Sequence, residues 1–210
     1  MSPHLLYIAD PMCSWCWGFS PVIEQVREHF GEILPMKLLM GGLRPGTQDP
    51  MTPGMKEDIR EHWRHVREAS GQPFDFAFFD REDFVYDTEP PSRAVVSVRG
   101  LDPALVFDCF RAIQRAFYAE NRDVTDPGTL ADIVSDLGLD REAFTDQFKA
   151  GQTITETWRD FETARHMGVT GFPTLLAGSK EGGYTVMTAG YRKWEKVKEA
   201  VEDYGLRIEK

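Results

Sequence analysis

Two cysteines three residues apart, in the tetrad Cys13-Ser14-Trp15-Cys16, stand between a short apolar run and a helix-like stretch. The run, Leu5 to Ala9, is apolar at consecutive positions, the pattern of a strand buried on both faces. From Ser14 to about Phe30, the residues Trp17, Val22, Ile23, Val26 and Phe30 recur at helical spacing, with Glu24, Arg27 and Glu28 opposite. Pro21 falls inside this helix and is expected to kink it. Thiols at i and i+3 across a first helical turn can close a disulfide with each other. The first thiol also lies over the helix N-terminus, where N–H groups and the dipole stabilise a thiolate. The chain therefore opens on a strand, a redox pair and a helix.

The rest of the chain is read around that unit. Residues 33–40 form a second strand pattern, ended by Gly41-Gly42. Residues 44–53 are rich in Pro and Gly and mark a module boundary. Helical patterns follow over 55–70, 91–100, 103–120, 129–137, 141–149 and 154–167. Asp102 and Asp126, each before a proline, are placed to start helices, and Gly71, Gly100, Gly138 and Gly168 to end them. Residues 174–177 and 184–189 then read as a hairpin with its turn over 179–183, and 193–204 as a closing helix. The expected fold class is α/β. Residues 1–43 and 154–210 make a four-stranded core, split by an all-helical insertion over 44–153.

Charge and length narrow the function. Asp and Glu outnumber Lys and Arg by 34 to 24 in 210 residues, a net charge of −10. That balance, with no basic run, argues against nucleic acid or an anionic membrane as partner. No apolar stretch approaches a membrane span, and residues 1–9 lack the basic start and long apolar core of a secretory signal. A cytoplasmic setting is expected, in which Cys13 and Cys16 rest as thiols and act transiently.

A second chemical element is Gly171-Phe172-Pro173-Thr174, between helix and strand. Proline at the first residue of a strand lacks the N–H that a central ladder needs and marks a special turn. A plain trans proline starting an edge strand is the commoner case. A cis bond would instead present the Phe172 backbone to an extended substrate. Other residues carry weaker signals. Cys109 reads as a buried small hydrophobe. His62 and His65 lack a third ligand, so no metal site is assigned. Trp15, Trp17, Phe19 and Trp63 are candidates for a hydrophobic groove, with Trp17 more simply core and Trp15 exposed. Arg93 and Arg122 could pair with a carboxylate such as glutathione's, although surface or capping roles suit them better.

Taken together, the tetrad, Pro21 eight residues after Cys13, the long helical insert and Gly171-Phe172-Pro173-Thr174 before a late hairpin resemble the DsbA family of thioredoxin-fold oxidoreductases. Residues 11–19 (PMCSWCWGF), 71–74 (GQPF), 86–90 (YDTEP) and 116–124 (AFYAENRDV) resemble its cytoplasmic, FrnE-like branch, described as predicted protein-disulfide isomerases. The resemblance implies that Cys13 is an exposed attacking thiol and Cys16 a buried resolving thiol. It also implies that Phe172–Pro173 is a cis bond, with Phe172 pairing with substrate beside Ser14 and Trp15. The expected activity is thiol–disulfide exchange through a mixed disulfide, on proteins or small thiols, with no cofactor beyond glutathione as a redox partner. The Ser14-Trp15 dipeptide places no cation beside Cys13, which argues against an extreme oxidant. Kappa-class glutathione transferases and 2-hydroxychromene-2-carboxylate isomerases share the split layout. They typically carry serine at the position of Cys13, and the intact pair disfavours them. A zinc-binding or peptide-binding adaptor is the non-enzyme alternative.

Overall fold

The computed structural model describes residues 2–179 and 181–208, with side chains through 205. Strands β1 (His4–Ala9), β2 (Met36–Met40), β3 (Thr174–Ser179) and β4 (Gly183–Ala189) form one sheet in the order β2-β1-β3-β4. β1 pairs parallel with β2 and antiparallel with β3, and β4 closes the edge antiparallel to β3. Lys180, within the expected turn, lies outside the described residues.

Every residue of β1 is buried, because both of its faces are covered. Leu5, Tyr7 and Ala9 join the main core with α1 (Ser14–Phe30). Leu6 and Ile8 point to the other face, against Leu176 of β3 and Ala164 of α7 (Gly151–His166). The closing helix α8 (Trp194–Ile208) packs on α1 and β4. Between β2 and α7 lie α2 (Pro53–Ser70), α3 (Glu89–Leu101), α4 (Val106–Tyr118), α5 (Pro127–Asp136) and α6 (Arg141–Lys149). Their aromatic centre is Trp63, fully buried, with the rings of Phe74, Phe76, Phe78, Phe79, Phe117 and Tyr118 at centroid distances of 4.8–6.0 Å.

Local chemistry adjusts several expected boundaries. The second strand starts at Met36 and not at residue 33, because the N–H groups of Ile33 and Leu34 turn back to the Phe30 carbonyl at 2.9 and 2.7 Å. Gly100 lies inside α3, which runs on to Leu101. The expected helix over 103–120 splits into a 3₁₀ turn, Pro103–Leu105, capped by Asp102, and then α4. Helix α2 begins two residues early because Thr52 caps it through the Met55 N–H, with Pro53 in its first turn.

Helix α1 runs unbroken through Pro21. A proline has no N–H to give the carbonyl four residues back, here that of Trp17. The Gln72 side chain supplies the missing donor, its Nε2 reaching the Trp17 carbonyl at 3.1 Å. The far end of the insertion is tied to the sheet by an ion pair. Arg99 on α3 forks onto Asp160 of α7 at 2.8 and 3.1 Å, and Asp160 also accepts the Met40 N–H at 3.2 Å.

Candidate active site

Cys13 caps α1 in extended conformation, and its carbonyl accepts the N–H groups of Cys16 at 2.9 Å and Trp17 at 3.1 Å. Its own N–H donates to the Asp10 carbonyl at 3.1 Å, which makes a tight turn of the loop between β1 and α1. The Asp10 side chain holds that loop in place. It is fully buried, with Oδ1 accepting the Met12 N–H at 2.9 Å and Oδ2 the Leu43 N–H at 2.7 Å. Burial pushes its carboxyl up to about 6, against the downward pull of those two bonds. From the insertion, the Tyr86 hydroxyl donates to the Met12 carbonyl at 2.6 Å. The residue before Cys13 is thus fixed from both sides.

The other wall is the chain before β3. The Phe172–Pro173 bond is cis, and the Cys13 Sγ lies 3.6 Å from the Phe172 carbonyl oxygen, a thiol-to-carbonyl hydrogen bond. The Phe172 ring covers Gly41. A Cβ at Gly41 would come within 2.2 Å of the ring, so this wall needs glycine there. Gly190 N–H donates to the Pro173 carbonyl at 2.7 Å, and the next residue, Tyr191, meets the Trp15 ring at 5.6 Å between centroids. The structure thereby brings Cys13, Cys16, Ser14, Trp15, Phe172 and Pro173 to one place from opposite ends of the chain.

Both cysteines are thiols. Cys16 is fully buried, and burial together with the adjoining Cys13 pushes its thiol well above the ordinary range. Cys13 is less open than expected, only 7 % exposed, because the Phe172 carbonyl and its loop lie over the sulfur. Trp15 is half-buried against Tyr191 and not fully exposed. Trp17 is core, as expected. Phe19 and Trp63 are fully buried as well, so neither lines a groove.

The remaining candidates stand apart from this wall. Cys109 is fully buried in α4, and burial pushes its thiol up to about 12. His62 and His65 are exposed on α2, with His65 3.3 Å from Glu61. Among the described residues no three side chains are grouped as metal ligands. Arg93 is engaged by Glu89 at 3.1 Å and stacks 4.1 Å over Phe148. Asp10 and Tyr86 were not singled out as site residues from the sequence. The only signal for Asp10 was a carboxylate set directly between an apolar run and the tetrad.

A four-stranded sheet whose first strand feeds a thiol pair at a helix start, faced by a cis-proline loop, defines a thioredoxin-fold thiol protein with a helical insertion. The chain belongs to the DSBA-like thioredoxin domain family, whose profile matches residues 7–202. It superposes on a candidate protein disulfide isomerase from Nitrosomonas europaea with TM-score 0.93, at 39% identity over 99% of both chains. It superposes on the cytosolic disulfide reductase DsbM from Pseudomonas aeruginosa with TM-score 0.80, at 29% identity over 98% of this chain and 99% of the other. The ClpXP adapter protein SpxH of Bacillus subtilis is 22% identical over 82% of this chain. The chain spans 57% of that relative's length, and 56% of its Halalkalibacterium halodurans counterpart.

Proposed function

We propose that the protein is a thiol–disulfide oxidoreductase that works as a disulfide reductase, with glutathione as the thiol that resets it. The observation that carries this reading is the Cys13 sulfur, capping α1 and 3.6 Å from the Phe172 carbonyl, with Cys16 one helical turn behind it. The Cys13 thiolate attacks a substrate disulfide, forming a mixed disulfide and releasing one substrate thiolate. Cys16 then attacks the Cys13 sulfur. The second substrate thiol leaves, and the protein holds a Cys13–Cys16 disulfide. Two molecules of glutathione return it to the dithiol and leave as glutathione disulfide. Phe172 presents its backbone to the substrate, and Trp15 and Ser14 form the facing wall.

What surrounds the thiols supports the reductive direction. No basic side chain lies in the tetrad, so the reduced form lacks the strong stabilisation that makes an oxidant. The name of the DsbM neighbour, solved also with GSH, supports both the reductive direction and a cytoplasmic setting. Equilibration in glutathione redox buffers tests the reading. At a cytosolic poise the pair is expected mostly as dithiol, and catalytic amounts are expected to speed reduction of a protein disulfide by glutathione. A pair that stays oxidised in those buffers would contradict the reductive direction. The names of the SpxH relatives supply a rival, a ClpXP adapter. Adapter binding that survives replacement of both Cys13 and Cys16, with no disulfide turnover in the parent protein, would favour the rival.

A further inference from the structure

Helix α7 covers its face of the sheet only in part. Through Ala164 it packs on Leu6 and Ile8 of β1 and on Leu176 of β3, the side chains that point away from α1. One strand further out on that face is Val186 of β4, paired with Leu176, and it is left 59 % exposed. Between Val186 and the end of α7 runs a groove of about 390 Å³, within the size range of ligand pockets. Its apolar walls are Met167, Val169, Phe172, Leu176, Val186 and Ala189.

This groove is continuous with the thiol site, because Phe172 and Gly190 belong to both. The Phe172 carbonyl lies 3.6 Å from the Cys13 Sγ, and the Gly190 N–H holds the Pro173 carbonyl at 2.7 Å, while both residues also line the groove. Charge is missing from the lining. Among the described residues no Asp, Glu, Lys, Arg or His borders it, whereas the groove between α1 and the start of α4 is bordered by Glu24, Arg27, Glu28, Asp108 and Arg111. Glutathione carries two carboxylates and an ammonium group, and would find no countercharge here. The lining is also bare at Gly171, where a Cβ would meet nothing within 4 Å and the backbone is not held at positive φ. Neither strain nor packing inside the chain asks for glycine at that position. A polypeptide lying across it does.

We propose that this groove receives an uncharged, apolar segment of a polypeptide substrate whose disulfide sits at Cys13. The inference rests on the reductase reading and adds the substrate class: protein disulfides with bulky apolar residues beside the cysteine. The substrate backbone passes Phe172, and its apolar side chain leaves water against Val169, Leu176 and Val186. That burial raises the population bound beside Cys13 and so speeds the first exchange. Val186 is the specificity-determining residue, since it is the exposed end of the wall and touches no reacting atom.

The test mixes reduced protein with synthetic peptides that carry one cysteine as its mixed disulfide with thionitrobenzoate. The residues flanking that cysteine are leucine, serine or glutamate in otherwise identical sequences. Attack by the Cys13 thiolate on the peptide sulfur expels coloured thionitrobenzoate with the electron pair. Cys16 then attacks the Cys13 sulfur and the peptide thiolate leaves. Colour release should be about tenfold faster for the leucine peptide than for the serine peptide, and slowest for the glutamate peptide. Val186→Glu and Val186→Arg place opposite charges at an exposed position on an edge strand, where charge is tolerated. Each should cut the leucine-to-serine ratio to about twofold or less, and leave release from the serine peptide within about twofold of wild type. Colour release from no peptide would overturn the reductase reading, and the inference with it. Equal release from the leucine and serine peptides leaves that reading intact and overturns the groove assignment. A leucine preference that both variants keep overturns it too, as do opposite shifts in the two variants, which would make charge the determinant. A wild-type dimer that Val186→Glu dissociates, with peptide preference unchanged, would give the groove to a second copy of the chain and overturn it as well.

Discussion

Cys16 and Cys109 are the same residue under the same burial, one in the first turn of α1 and one in α4. Both side chains are fully covered, and burial pushes both thiols up. Their neighbours separate them. Cys16 has a second thiol, Cys13, and the buried Asp10 beside it, whereas Asp108, next in sequence, is the charge that adds to burial at Cys109. Burial alone makes a thiol inert. A buried thiol becomes useful when the fold sets a second thiol beside it, which the β1–α1 junction does and α4, among the described residues, does not.

That contrast can be broken most severely at Cys13. Cys13→Ser removes the nucleophile and should abolish disulfide reduction while leaving the fold intact. Residual turnover in an insulin-reduction assay above the background of buffer thiols would mean that Cys16 or Cys109 can attack on its own.

Asp10 sharpens the comparison through pH. Its carboxyl ionises at about 6 in the folded chain against 3.8 for an ordinary aspartate. A raised folded value means that folding is favoured by the protonated form. This contribution is complete below pH 3.8 and is lost as pH climbs to about 6, a fall worth about 3 kcal/mol. Urea unfolding across that window should show the fall in the wild type and lack this component in Asp10→Asn. An undiminished fall in the variant would place the burden on another group.

The smallest expected effect is at Cys109. Alkylation of the native reduced protein should label Cys13 first and Cys109 only after denaturation. Cys109→Ala should keep reductase turnover within about twofold, since the residue touches no reacting atom. Rapid native labelling, or lost activity, would erase the difference between the two buried thiols.

Much of this was legible in the chain itself. The tetrad after an apolar run located strand, thiols and helix because each rests on local chemistry: consecutive apolar residues, i to i+3 spacing, and a helix start. The cis bond at Phe172–Pro173 was legible only through resemblance to a family, since frequencies for an isolated Phe-Pro favour trans. What could not be read is tertiary. Asp10 is an acidic residue in a loop until folding sets Leu43 and Met12 on its two oxygens. Its role depends on which backbone groups meet it, and Leu43 lies 33 positions away in the chain. The near-closure of Cys13 has the same origin, because the Phe172 carbonyl that covers it arrives from 159 positions away.

The most direct test of the division of labour between the two thiols is to remove the second one. Cys16→Ser, incubated with a disulfide substrate and analysed by mass spectrometry without reductant, should accumulate a covalent adduct mapped to Cys13, because nothing remains to displace the substrate. Adducts no more abundant than in the wild type, or mapped to Cys109, would contradict the account.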